Sequence, residues 1–135
     1  MQAAVDTNVL VRLFVDDDPA QSELAAATLE SAEVIAISLQ AFCELAWVLG
    51  TRYQTARSDV ALAIRQLLDT ANVVTNRPAV AAGLAILEAG GDFADGVIAH
   101  EGNWLGGATF VTFDRKAAKL LADQGQTILL LDQAC

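Results

Sequence analysis

Five short, nearly uninterrupted apolar runs limit most strongly how this chain can fold. They are Ala3 to Val5, Val34-Ile35-Ala36-Ile37, Val73-Val74, Phe110-Val111-Thr112 and Thr127 to Leu131. Between them lie longer stretches whose apolar residues recur at helical spacing. A strand that is apolar on both faces needs cover on both faces, and strands that alternate with helices pair in parallel. The pattern predicts an α/β fold, a three-layer sandwich with a central, mainly parallel sheet flanked by helices. The 135 residues suit one domain, so residues 1–135 are read as a single domain. In such sheets ligands bind outside the carboxyl ends of the strands.

Local signals bound the helices. Val9, Leu10, Leu13 and Phe14 follow the first run at helical spacing. Asp16-Asp17-Asp18-Pro19 ends that helix and starts another, with Asp18 as N-cap, Pro19 in the first turn and Gln21 three residues after the cap. Ser38 caps a third helix with Leu39, Phe42, Cys43, Ala46 and Trp47 on its apolar face. A fourth follows Ser58, and Pro78 opens a fifth that ends at Gly90-Gly91. Asp92 caps a sixth carrying Val97, Ile98 and Leu105, and Asp114 caps the seventh, which Gly125 stops.

Composition excludes several classes. With 54% hydrophobic and 19% charged residues, the chain is not disordered. No run reaches the roughly 18 apolar residues of a membrane span. The N-terminus lacks the basic segment of a signal peptide. Cys43, read as core, and Cys135, read as an exposed terminal thiol, form no disulfide framework, so a cytoplasmic location is expected. A single histidine, His100, and no CxxC pair exclude a structural zinc site. The net charge of −9 argues against nucleic-acid binding unless cations offset it.

Four acids stand out. Asp6 directly follows the first strand and Asp114 the fourth, at the edge where a site is expected. Asp95 lies in the first turn of an otherwise apolar helix. Glu44, the only charge between Glu33 and Arg52, is expected to be buried, where an unpaired carboxylate is costly. Each acid also has a local explanation: Asp6, Asp92 and Asp114 as N-caps, Asp95 as an acid favoured by the helix dipole. Gathered together, each ionised pair would repel by roughly 3 kcal/mol at an effective dielectric near 20. Few bases are placed to pair them: Arg115, Lys116 and Arg12. An all-carboxylate donor set suits Mg²⁺ or Mn²⁺, not zinc.

These residues resemble a known family. Asp6-Thr7-Asn8-Val9-Leu10 resembles the opening motif of the PIN domain, and Glu44 fits that family's second acid. Asp92-Phe93-Ala94-Asp95-Gly96 resembles the segment with the third acid, with Asp95 at the matching position, and Val111-Thr112-Phe113-Asp114 the segment with the fourth. The match runs in order from about Val5 to Leu131. The short single-domain form is similar to VapC-type toxins of toxin–antitoxin pairs. One position departs: alanine usually follows the third acid, and Gly96 stands here, expected to loosen the turn that holds Asp95.

The resemblance implies an Mg²⁺- or Mn²⁺-dependent endoribonuclease. Asp6, Glu44, Asp95 and Asp114 would hold the metal, with Asp92 a weaker candidate. Thr7, Asn8 and Thr112 would orient these ligands from behind. Arg115, Lys116 and Lys119 would contact the RNA backbone, or else form a solvated helix face. A cognate antitoxin and a homodimer are the implied partners. Two other classes compete. An aspartyl-phosphate phosphatase also begins with a strand and an Asp, but needs a second acid where Asn8 stands. A receiver-like module would bind a metal and cleave nothing.

Overall fold

The computed structural model describes residues 1–132. Cys135 lies outside them. The chain divides into two compact units, residues 1–77 and residues 78 onward.

The first unit contains β1 (Gln2–Ala4), α1 (Thr7–Phe14), α2 (Pro19–Glu30), β2 (Val34–Ala36), α3 (Leu39–Trp47), a π-helical turn (Val48–Arg52), α4 (Arg57–Leu68) and β3 (Val73–Val74). The three strands form a parallel sheet in the order β1-β2-β3, with Ala3 opposite Ile35 and Ile35 opposite Val73. Leu10, Phe42, Leu45, Leu49 and Ile64 are almost completely buried. Two expected caps form as read: Asp18 accepts from the Gln21 N–H at 3.1 Å, and Ser38 from the Ala41 N–H at 3.1 Å. The fourth helix starts at Arg57, ahead of Ser58, and its N-cap Ala56 has no capping side chain. Arg12 at the end of α1 pairs with Asp17 and donates to the Tyr53 hydroxyl at 3.0 Å, and that hydroxyl donates to Asp17 at 3.1 Å. The Tyr53 contact, with Asp17, holds the guanidinium above its usual pKa. Arg12 is thus engaged with Asp17 and Tyr53.

In the second unit α5 (Arg77–Glu88) leads to α6 (Phe93–Trp104), β4 (Thr109–Thr112), α7 (Arg115–Asp123) and β5 (Thr127–Leu130). Strands β4 and β5 pair in parallel, with Val111 opposite Leu129. Phe110, Leu120 and Ile128 pack on Ile86, Ala99 and Leu121. That covers one face of the pair. The other face carries Val111 and Leu129 at about half exposure, 52% and 51% among the described residues. Alternation along a strand gives each face its own neighbours, and an apolar run does not say which face the helices take. Exposure also corrects one helix face, because Trp47 on α3 is exposed; on α6 Val97 is buried and Ile98 exposed, as is Leu105 just after it. Cys43 is half-buried, not core.

Gly96 does not loosen its turn. A Cβ there would lie 2.4 Å from the Ala82 carbonyl oxygen and 2.8 Å from the Gly83 Cα, so α6 rests directly on the backbone of α5. Gly83 in turn lies under the Phe93 ring, where a Cβ would come within 2.6 Å of a ring carbon. Among the described residues no helix is long and apolar enough to cross a membrane.

Candidate active site

Within the first unit the site begins where β1 ends. The Val5 N–H donates to the Ala36 carbonyl at 3.2 Å, which holds the chain to the sheet up to the residue before Asp6. Asp6 then occupies the N-cap position of α1, with extended backbone (φ −72°, ψ 148°). Its carbonyl accepts from the Val9 and Leu10 N–H groups at 3.0 and 3.4 Å. No backbone N–H reaches its carboxylate. The explanation of Asp6 as a side-chain cap therefore fails, whereas Asp18, Asp92 and Asp114 all accept such a bond.

The next residue brings in a second acid. Thr7 is 8% exposed, and its hydroxyl donates to Glu44 Oε2 at 2.5 Å. The start of α1 and the middle of α3 thus meet at Glu44. Glu44 itself is exposed, which corrects the expectation of a buried carboxylate. The buried residues of α3 are Ala41, Phe42 and Leu45, and Glu44 turns away from them. Asn8 is exposed and lines a cleft of about 390 Å³ with Val9, Arg12, Gln21, Leu24, Ala25 and Thr28.

Within the second unit Asp92 and Asp114 cap α6 and α7, accepting from the Ala94 and Ala117 N–H groups at 3.1 and 3.0 Å. Each carboxylate keeps lone pairs free for a further partner. The Thr112 hydroxyl accepts from the Asp114 N–H at 3.0 Å and so shapes the turn that presents Asp114. Asp95 is half-buried in the first turn of α6. Burial, then the negative charges of Asp92 and Asp114, raise its pKa above the usual carboxylate range.

A raised native pKa has a definite sign in stability. Above it, native and unfolded chains are both ionised at Asp95, and the fold bears the cost of that charge. As pH falls through the native pKa the folded chain takes up the proton first and the cost disappears. Asp95→Asn should therefore melt higher than the wild type at pH 7 in EDTA, and the gain should vanish by about pH 4, near the unfolded pKa. Melting curves of both proteins across that range check this; a gain that stays constant with pH would show that Asp95 bears no such cost.

Among the described residues of either unit, no three or more His, Cys, Asp or Glu side chains gather closely enough to hold a metal ion. The acids present offer only oxygen donors, which fits a hard divalent cation. Of the basic candidates, Arg115 pairs with Asp132 at 3.3 Å and Lys119 with Asp123 at 3.0 Å. Both pairs are exposed and worth less than about 1 kcal/mol, so a phosphate could displace them. Lys116 is exposed. Trp47, expected on the apolar face of the third helix, is exposed three residues after Glu44.

No curated protein matches the chain. The family model for the PIN domain matches residues 3–121, from β1 into α7, and takes in all four acids. On that match the chain belongs to the PIN domain family, whose members are generally nucleases.

Proposed function

We propose that the chain is an endoribonuclease dependent on Mg²⁺ or Mn²⁺, working as one nuclease domain in which Asp6, Glu44, Asp95 and Asp114 hold the cation. The observation that carries this reading is the Asp6 carboxylate, which stands at a helix N-terminus, accepts no backbone N–H, and directly precedes the threonine that holds Glu44. An acid at a helix start that does not cap is left available as a ligand. Asp95 adds a carboxylate whose ionised form is disfavoured in the chain by itself and is favoured by a nearby cation. Asp92 is the weaker member, explained by its cap.

When bound by these acids, a divalent ion would supply polarisation of a phosphoryl oxygen, a water nucleophilic at neutral pH and compensation of charge at the leaving oxygen. The chain's own residues do the positioning. Thr7 fixes one oxygen of Glu44, and Thr112 fixes the turn that carries Asp114. Arg115, Lys116 and Lys119 at the start of α7 contact the RNA backbone, which exchanges the exposed pairs of Arg115 and Lys119 for phosphate. The products are 5′-phosphate and 3′-hydroxyl ends. End-labelled RNA incubated with Mg²⁺, with Mn²⁺ and with EDTA tests the reading: cleavage that persists in EDTA, or 2′,3′-cyclic phosphate products, overturns it.

The same proposal makes the chain the cytoplasmic toxin of a toxin–antitoxin pair and a homodimer. The cleft between α1 and α2, lined by Val9, Leu24 and Ala25 with Arg12 and Gln21, has the apolar floor and polar margin that suit an antitoxin segment. Expression of the chain alone in its host should arrest growth; undisturbed growth and intact RNA remove the toxin role and leave the nuclease.

A further inference from the structure

Trp47 is 60% exposed, although Phe42 and Leu45 of the same helix are fully buried. It stands three residues after Glu44, one turn on and on the same side of α3. Helical side chains lean toward the N-terminus, which directs the indole over the turn that carries Glu44. Gly50, three residues further on, has no side chain, and a Cβ there would meet nothing within 4 Å. The helix then widens into the π-helical turn Val48–Arg52, closed by the Tyr53 N–H on the Val48 carbonyl at 3.3 Å, and ends on exposed Arg52. Single π-helical turns within helices recur at functional sites.

We propose that Trp47 is a stacking platform for one unpaired base of the RNA substrate. The proposal rests on the nuclease reading, since Glu44 is what marks this face as the place of cleavage. Glu44, Trp47 and Arg52, all exposed, follow one another along α3 and the π-helical turn that ends it. A nucleotide needs these three features in that order: the cleavage site at one phosphate, a flat apolar surface for the base, and a cation for the other phosphate. A protein partner packed on the indole would also bury the Glu44 carboxylate about one turn away and leave it without a solvent shell. Stacking on an aromatic ring accepts any base, so Trp47 selects single-stranded RNA over duplex and sets no sequence.

The experiment uses the full chain with Trp104→Phe, which leaves Trp47 as its only indole. Its fluorescence is recorded by stopped flow in Mg²⁺, before turnover, on mixing with hexaadenylate or with a ribose-phosphate hexamer that lacks bases. The expected result is quenching by hexaadenylate and not by the abasic chain. In steady-state cleavage of single-stranded RNA, Trp47→Ala should raise KM about tenfold with a smaller change in kcat, and Trp47→Phe should restore most of the loss. Equal responses to the two hexamers overturn the proposal. So does emission that shifts with protein concentration and not with RNA, which would show a second copy covering the indole. Quenching by a protein that cleaves nothing supports the platform and removes the nuclease reading; cleavage by Trp47→Ala at the wild-type KM removes the platform and leaves the nuclease.

Discussion

On the proposed nuclease reading, Asp6→Asn should lower RNA cleavage by at least about a thousandfold, equivalent to about 4 kcal/mol of transition-state stabilisation, and leave the fold intact. The substitution keeps the shape of the side chain and removes the charge that a divalent ion needs. Its effect on the metal-free fold is small for a reason visible at the site. Asp6 and Glu44 are both exposed, so the repulsion relieved between them is slight. Against that gain stands the loss of an acid at the positive end of α1, worth under about 1 kcal/mol. The two terms oppose, and no side-chain cap is lost because none is made. In EDTA the two proteins should melt within a few degrees of each other. In Mn²⁺ at a hundredfold excess over its dissociation constant the wild type should gain about 2.7 kcal/mol, and Asp6→Asn much less. Melts of both proteins in both conditions, with cleavage assays beside them, decide the matter. An Asp6→Asn protein that still cleaves RNA at the wild-type rate would remove this acid from the site.

Gly96→Ala lowers the melting temperature by about 10 °C, the reverse of what helix propensity forecasts. Alanine is favoured over glycine inside a helix by about 1 kcal/mol. At Gly96 that gain is overwhelmed, because the new methyl group would stand 2.4 Å from a backbone oxygen and 2.8 Å from a Cα of α5. Backbone atoms inside a helix yield only if the whole helix moves. Overpacking of this kind costs about 3 kcal/mol, and for a chain of this size each kcal/mol shifts the melting temperature by several degrees. Gly102 provides the control within the same helix: a Cβ there meets nothing within 4 Å, so Gly102→Ala should melt at or above the wild type. Gly83→Ala presses on the Phe93 ring and not on backbone, and should cost less than Gly96→Ala. If Gly96→Ala melts as high as Gly102→Ala, the close approach of α6 to α5 is not what the structure shows.

The sequence by itself determined the order of the elements, the parallel pairing of the strands and the caps at Asp18, Ser38, Asp92 and Asp114. These are local matters: a capping oxygen finds an N–H two or three residues away, and an apolar run between helices is extended whatever lies on top of it. The place of Asp6 between the first strand and the first helix was legible too, because strand end and helix start are contiguous. The tertiary structure decided what depended on distant segments. Glu44 looked buried because its own helix is apolar nearly all round, yet α3 turns Ala41, Phe42 and Leu45 inward and leaves Glu44 and Trp47 outside. Gly96 looked like a weak point in a turn because α5 is remote in sequence, and contact with Ala82 makes it a requirement of packing. Apolar side chains on both faces of β4 and β5 gave no means of telling which face the helices would take; Phe110 and Ile128 went inward, and Val111 and Leu129 stayed exposed. Burial is a property of pairs of segments, and a pattern within one segment records its capacity to be buried without recording what will cover it.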